Sequence, residues 1–192
     1  FLSLLLVVAM VSTLLPVLPS AVPAKAASTA WDGSTKTEPD TDEDGVYQIS
    51  NGAELAWFAD YVNQLSQENN DNNVDTTDGN GLIRLHAVLT DDIDLGGNTW
   101  TPISNTSYAI YAYGGTFDGQ CHTISGLAIN ATTAGYGLFG FVNDATIRNL
   151  KVNGTIESSN GVGGIIGKIQ TGTVENCSMS GTVTSTGTST KG

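Results

Sequence analysis

The sequence predicts an all-β fold, a single-stranded parallel β-helix in which coils of short strands stack along one axis. One observation is an internal repeat: residues 137–156 align with residues 164–183 at an offset of 27, without a gap. In each copy β-branched and apolar residues alternate with polar ones, which is typical of short strands between tight corners. The chain also contains 23 glycines, which suits many corners. Repeats of this length bury their apolar faces only by stacking on a neighbour.

The repeat also predicts which residues stack on one another. A fainter third copy, residues 123–129, matches residues 146–152 at an offset of 23. If both offsets are coil lengths, four columns of equivalent residues follow: two inward (Ile124, Ile147, Val174 and Leu127, Leu150, Cys177), one at a corner (Gly126, Asn149, Asn176) and one outward (Ser125, Arg148, Glu175). We expect the corner amides to be buried and to stack along the axis. We also expect Arg148 and Glu175 to pair across the strand spacing of about 4.8 Å.

Several segments resemble the GLUG motif of bacterial surface proteins and the sequence that leads into it. The resemblance is carried by the paired segments GLFG at 137–140 and GIIG at 164–167, and it covers about residues 46–186. Similar lead-in segments lie upstream, at 92–95, 100–103, 115–119 and 122–124. The resemblance implies a right-handed, pectate-lyase-like parallel β-helix on a secreted or cell-wall protein, which we expect to come from a Gram-positive bacterium. It implies no common activity.

Residues 1–26 are predicted to be a signal peptide that lacks its own N-terminus. An apolar run opens the chain, and Ala24-Lys25-Ala26 offers a small-x-small cleavage site, so the mature chain is expected to begin near Ala27. Prolines interrupt the run before it reaches the roughly 20 residues of a membrane span, which argues against an anchor. We therefore expect no membrane contact after cleavage. Because the sequence lacks an initiating Met and stops within a Ser/Thr/Gly run, we also expect a fragment whose further domains lie C-terminal to it.

Residues 27–45 are predicted to be an acidic linker. The segment Asp40-Thr41-Asp42-Glu43-Asp44-Gly45 matches the first half of a calcium loop, in which alternating carboxylates converge on the ion. The twelfth position is Asn51, where such a loop requires a bidentate Glu. A solvated linker is therefore the favoured interpretation, and calcium is the alternative.

Residues 46–80 are predicted to form a short strand, a capping helix and a loop, before the coils of residues 81–192. The helix is expected over residues 53–63, with Ser50 or Asn51 as its N-cap and apolar residues at helical spacing. We expect this face to cover the open end of the β-helix, where bare strand edges would otherwise invite aggregation. The alternative use of the aromatic residues on this helix is a platform for a sugar.

The carboxylates Asp91, Asp92, Asp94 and Asp118 are the candidates for chemistry, because β-helix polysaccharide lyases hold calcium with acids beside a basic residue. We favour a role in closing turns, since no Arg or Lys accompanies the cluster. The remaining candidate side chains are two histidines without metal-like spacing and two cysteines too far apart to bridge, namely His86, His122, Cys121 and Cys177. We therefore expect no catalytic, cofactor-binding or metal-ligating residues.

Charge and fold together leave three classes of function. A formal net charge of −12 argues against a nucleic-acid partner, because little here could neutralise phosphates. The favoured class is a non-enzymatic surface module for adhesion, ligand binding or domain spacing, with carbohydrate or a protein of a host or neighbouring cell as partner. The alternatives are a polysaccharide lyase or glycoside hydrolase on the same coil and, third, an ice- or surface-binding protein suggested by the recurring Thr123, Thr146 and Thr173.

Overall fold

The computed structural model describes residues 29–70, 81–131, 136–158 and 162–185. The predicted signal peptide, residues 1–26, lies outside these ranges, and so do residues 71–80 of the predicted loop. In the described part of the chain, no helix is long and apolar enough to cross a membrane.

The described residues form one α-helix, one short 3-10 helix and a series of short strands. The α-helix is α1 (Gly52–Asn70), and the 3-10 helix spans Ala109–Tyr111. The strands are, in chain order, β1 (Tyr47–Ile49), β2 (Ala87–Leu89), β3 (Ile93–Asp94), β4 (Thr116–Asp118), β5 (Thr123–Ala131), β6 (Phe139–Val142), β7 (Ala145–Arg148), β8 (Lys151–Ser158), β9 (Ile166–Ile169), β10 (Gly172–Glu175) and β11 (Ser178–Ser185).

These strands form three parallel sheets, one on each side of a solenoid. The five-stranded sheet has the order β1-β2-β4-β7-β10, the four-stranded sheet β11-β8-β5-β3, and the two-stranded sheet β6-β9. We number the coils by their strands: first (β2, β3), second (β4, β5), third (β6, β7, β8) and fourth (β9, β10, β11). Since successive coils pair in parallel on each side, the predicted parallel β-helix is confirmed.

The third and fourth coils keep the predicted offset of 27 throughout. Thr146 pairs with Thr173 in the five-stranded sheet, and Thr155 pairs with Thr182 in the four-stranded sheet. Arg148 likewise lies beside Glu175 in register, as predicted, but the described residues show its ion pair with Asp118 at 2.8 Å and not with Glu175. The repeat in the sequence is therefore one full coil.

The predicted offset of 23 between the second and third coils is wrong. Ile124 pairs with Val152 in the four-stranded sheet, whereas the neighbour of Ile147 in the second coil is Phe117, 30 residues earlier. The reason is the corner between β4 and β5. Two residues with positive φ, Gln120 and Cys121, lengthen this corner and carry the pattern of residues 123–129 onto the next side of the solenoid.

The predicted columns change accordingly in the second coil. Leu127 pairs with Gly154 after a bulge, so it does not stack with Leu150 and Cys177. Gly126, with φ 69°, lies in that bulge and not in the corner column, and Ser125 lies opposite Asp94 instead of beside Arg148. In the second coil, the outward neighbour of Arg148 is Asp118.

Inward residues of the first three coils form the core. Ala87, Phe117 and Ile147 are buried along the five-stranded sheet, and Ile124 and Val152 are buried along the four-stranded sheet. A column of apolar side chains on each sheet thus faces the axis, as the period of two in the sequence requires.

Helix α1 covers the end of this core, as predicted. Its apolar face is buried, and the Phe58 ring lies 6.2 Å from the rings of both Tyr113 and Phe117. The helix begins after Asn51, whose Oδ1 accepts the Glu54 backbone N–H at 3.0 Å, while the Glu54 carboxylate accepts the Ser50 N–H at 2.6 Å. This reciprocal cap resembles a capping box and fixes where the helix starts.

Candidate functional site

Asp118 ends β4 and holds the corner below it. Its Oδ1 accepts the Gln120 N–H at 2.9 Å and the Asn149 amide at 3.0 Å, and its Oδ2 accepts the Arg148 Nε–H at 2.8 Å. The turn-closing role agrees with expectation, but the view that no Arg or Lys accompanies the acids is wrong for this residue. Arg148 lies 30 positions away in sequence and one coil away in space.

These bonds lower the pKa of the Asp118 carboxyl. Burial by itself raises that pKa, but hydrogen bonds from Gln120, Asn149 and Arg148, together with the Arg148 charge, outweigh burial and hold the pKa below its usual value. A carboxylate held ionised in this way is a structural anion and a poor general base.

The stacked amides continue from Asp118 to the last coil. Asn149 donates to Asp118, and Asn176 in turn donates from Nδ2 to the Asn149 Oδ1 at 3.1 Å. Both asparagines have φ 52°, a left-handed conformation that asparagine tolerates better than most residues. The predicted Asn149–Asn176 ladder is confirmed. The prediction that Asn176 is buried is wrong, because this residue is exposed in the fourth coil.

Of the other candidate acids, Asp94 also closes a turn, whereas Asp92 bonds to the start of β5 in the second coil. Asp92 Oδ1 accepts the Thr123 N–H at 2.9 Å and lies 3.2 Å from the His122 Nδ1, and Asp94 Oδ1 accepts the Gly96 N–H at 2.8 Å. Asp91 Oδ1 accepts the N–H of Asp92 at 2.6 Å. Over the described residues, the structure therefore does not gather the four candidate carboxylates around one point.

Arg84, the basic residue nearest to the candidate acids in the sequence, and the candidate His86 are engaged elsewhere. Arg84 donates to the Gly114 carbonyl at 2.6 Å and to the Asp144 carboxylate at 2.8 Å, and His86 Nδ1 accepts the Thr116 N–H at 3.1 Å. Cys121 and Cys177 are free thiols. Over residues 29–70, 81–131, 136–158 and 162–185, no group of three or more His, Cys, Asp or Glu side chains could hold a metal ion.

The predicted calcium loop forms a self-contained turn in the structure. Asp42 Oδ1 accepts the N–H groups of Asp44 and Val46 at 3.0 and 2.9 Å, and its Oδ2 accepts the Gln48 amide at 3.1 Å. These bonds of the Asp42 carboxylate close the turn.

The segment predicted to be a linker also packs on the solenoid over its described part. Trp31 lies against Trp100 with ring centroids 5.9 Å apart, the Trp31 backbone N–H donates to the Asp94 carbonyl at 2.8 Å, and Pro39 is buried. Between this segment, helix α1 and the first coil lies a cavity of about 250 Å³, which we call the cap cleft. Its lining comes from all three parts: Trp31, Gly33, Lys36, Ala56, Ala59, Asp60, Asn63, Thr99, Trp100 and Thr101.

The cap cleft has an apolar base and a polar rim. Ala56, Ala59 and Trp100 at the base are almost fully buried, and the small alanine side chains leave the space open. At the rim, Lys36 Nζ lies 2.8 Å from Asp60 Oδ1, and both side chains remain nearly half exposed. A few polar groups around an apolar base are the usual composition of a small-ligand site.

Local structure positions the Trp31 wall. Asp32 begins a tight turn by accepting the N–H groups of Ser34 and Thr35 at 2.8 and 2.7 Å. The Thr35 hydroxyl also donates to the Asp32 carboxylate. This hydrogen bond above all, together with the two from the backbone, holds the pKa of the Asp32 carboxyl well below its usual value. The absence of a side chain at Gly52 lets Trp31 approach, since a Cβ there would lie 2.4 Å from the Trp31 Cβ.

Sequence reasoning missed the cap cleft, because its walls come from residues 31–36, 56–63 and 99–101 and no local pattern joins them. One signal was present. A tryptophan in an otherwise polar, acidic segment is a large apolar side chain that folding tends to bury, and Trp31 does pack against the solenoid.

Comparison with known proteins identifies one motif. A family model described as the GLUG motif matches residues 158–184, which run from the end of β8 to the end of the fourth coil. No curated protein and no solved structure matches the chain. The chain is thus a parallel β-helix that carries a GLUG motif, and the motif is one turn of the solenoid.

Proposed function

We propose that this chain is an extracellular, cell-surface β-helix module that spaces other domains and presents binding surfaces for adhesion. The observation that carries the proposal is the continuous stacking of the coils in register, from β1 to β10 on one sheet and from β3 to β11 on another. A solenoid of this kind is a semi-rigid rod, whose length grows with each coil while its sides stay polar.

The condition of the candidate chemical groups supports a non-enzymatic role. Asp118 is bonded to Arg148 and two amide groups, Asp94 accepts a backbone N–H group of its own turn, and Asp92 accepts one from the start of β5. Acid–base chemistry needs a titratable pair within reach of one bond and tuned to the operating pH. We propose a module without catalytic residues or cofactors, whose partner is carbohydrate or a protein on a host or neighbouring cell.

Surface display and adherence test this proposal directly. Antibodies raised against the purified chain should label intact cells of the organism that produces it. A strain lacking the coding region should adhere less to polysaccharide-coated or cell-coated surfaces, and reintroducing the gene should restore adherence. Unlabelled intact cells, or adherence that is unchanged by the deletion, would contradict the proposal.

An activity assay separates the module from the polysaccharide lyase or hydrolase that is the alternative. The purified chain, incubated with acidic and neutral polysaccharides with and without calcium, should release no new reducing or unsaturated ends. If such ends appear and are abolished by Asp94→Ala or Asp118→Ala, the enzyme becomes the better interpretation.

A further inference from the structure

We propose that the cap cleft binds one uncharged sugar ring of a polysaccharide. This inference rests on the proposed function and gives its binding activity a site and a ligand class. The cleft lies at the covered end of the solenoid, and its lining includes none of the candidate acids Asp91, Asp92, Asp94 and Asp118. No feature of the GLUG motif, which lies in the fourth coil, contributes to it.

Size limits what the cleft can hold. A cavity of about 250 Å³ is at the small end for ligand pockets, which favours a single ring over a flat or extended ligand. The cleft opens to solvent at its rim, where Gly33, Thr99 and Thr101 are exposed, so the chain on either side of a bound ring can continue into water. A polysaccharide would therefore bind with one of its sugar rings in the cleft and the rest in solvent.

The two tryptophans give the cleft its apolar surface. Trp100 is buried at the base and Trp31 is half-buried at the wall, with their rings edge to face at an interplanar angle of 76°. Both indole N–H groups are already engaged, that of Trp31 with the Thr35 carbonyl at 2.7 Å and that of Trp100 with the Leu138 carbonyl at 3.1 Å. The part of the Trp31 ring that is not covered by Trp100 is thus left for C–H groups, which sugar rings present on their faces.

The rim supplies the matching polar groups. Lys36 is a donor with three N–H bonds and Asp60 is an acceptor with two oxygens, and the hydroxyls of Thr99 and Thr101 can both donate and accept. Adjacent hydroxyls of a sugar both donate and accept, so this combination suits them. Because Lys36 and Asp60 neutralise each other and the whole chain carries a charge of −12, an uncharged ring is favoured over a uronic acid.

The cleft is held in shape before any ligand arrives. The Trp31 carbonyl accepts the Asn98 amide at 2.6 Å. Asn63, which lines the cleft, ties helix α1 to the segment that follows Thr101, donating to the Pro102 carbonyl at 3.0 Å and accepting the Asn105 N–H at 2.7 Å. Walls fixed by such bonds reduce the ordering cost of binding, which matters for a ligand that makes few contacts.

Trisaccharide titration of the purified chain tests the inference. The probes are cellotriose, maltotriose, tri-N-acetylchitotriose and trigalacturonate, and binding is followed by tryptophan fluorescence and calorimetry. We expect saturable binding of at least one neutral probe with a dissociation constant on the order of 1 mM, and weaker binding of trigalacturonate. Lys36→Gln should weaken binding by about tenfold, because a sugar hydroxyl loses its charged donor.

Two matched controls make the result specific. Lys151→Gln removes an exposed lysine on β8 and should leave the dissociation constant unchanged. Trp57→Phe removes the tryptophan that packs with Tyr47 and Tyr61, outside the cleft lining, and should leave the fluorescence response in place. Unchanged melting temperatures would show that the variants fold.

Three results would overturn the inference: no saturable response to any neutral probe up to about 20 mM, tighter binding of trigalacturonate, or an equal loss in Lys36→Gln and Lys151→Gln. The proposed function fails by a different measurement. A chain that labels the cell surface and supports adherence but binds no trisaccharide contradicts only the sugar site, whereas absence of surface labelling contradicts the module.

Discussion

The third and fourth coils are two copies of one sequence pattern in very different surroundings. Ile147 in the third coil is 0% exposed, whereas its equivalent Val174 in the fourth coil is 47% exposed. Ile156 and Val183 repeat the contrast, at 0% and 43%. The strands are in register and the residue types are alike, so the difference comes from neighbours: the third coil is covered on both sides and the fourth, in the described residues, on one.

The contrast shows that burial in this molecule is a property of stacking. In a solenoid each coil contacts only the coils before and after it, and stability is close to a sum of coil and interface contributions. The opposite end illustrates the same point, since helix α1 buries the first coils in place of a neighbouring coil. Substitutions at equivalent positions of the third and fourth coils should therefore differ in their effect on stability.

The largest difference is expected for the inward column of the five-stranded sheet. Ile147→Ala should lower the free energy of unfolding by about 2–5 kcal/mol, because it removes buried methyl groups and leaves a cavity between Phe117 and Val174. Val174→Ala should cost about 1 kcal/mol or less, since its side chain is half exposed. Urea denaturation of both variants measures the difference, and equal losses would show that the fourth coil is as well packed as the third.

The corner asparagines should show a smaller difference. Asn149→Leu breaks amide bonds to both Asp118 and Asn176, so we expect a loss of about 1–3 kcal/mol. Asn176→Leu is the matched control, because its φ of 52° is the same and the strain of placing leucine there should cancel. Thermal unfolding should show the larger shift for Asn149→Leu. A larger shift for Asn176→Leu would mean that the ladder is anchored in the fourth coil.

The outward column should show the smallest effect on stability. Arg148→Gln removes the ion pair to the partly exposed Asp118 and should cost about 0–1 kcal/mol, while Glu175→Gln, one coil on, should stay within about 0.5 kcal/mol. The sign of the pH effect follows from the lowered pKa of Asp118. The stabilisation is present above the unfolded pKa of about 3.9 and is lost as pH falls through the folded pKa.

Denaturation at a series of pH values below about 5 checks this. The free energy of unfolding of the wild-type chain should fall more steeply on acidification than that of Arg148→Gln. The part of this fall that is due to Asp118 should be the same in Glu175→Gln as in the wild type. Identical acid profiles for wild type and Arg148→Gln would remove Arg148 as a cause of the lowered pKa.

Local sequence predicted those features whose signals are local. The 27-residue repeat predicted the register of the third and fourth coils, and the helical spacing of apolar residues after Asn51 predicted the capping helix. The second coil was misaligned because alternation is identical on every side of the solenoid, so the pattern of residues 123–129 does not say which sheet it joins. The longer corner between β4 and β5, where Gln120 and Cys121 have positive φ, places these residues on the next side.

The site shows the same limit. The turn-closing role of Asp118 could be predicted from its neighbour Gly119, but the approach of Arg148 from the next coil depends on a register that was misassigned. The cap cleft depends on contacts among Trp31, Asp60 and Trp100, which are separated by tens of residues. Neither the Arg148–Asp118 contact nor the contacts that form the cap cleft can be predicted from the sequence of one short segment.

Native-state amide hydrogen exchange tests most directly the claim that stacking on both sides determines burial and order. In the 192-residue chain, amides of β7 and β8 should exchange much more slowly than the equivalent amides of β10 and β11, because each opening of the third coil must also disrupt a neighbouring interface. Peptides covering residues 145–156 and 172–183 compare the two coils at matched positions. Strong protection in the first and weak protection in the second is the predicted result, and equal protection in both would contradict it.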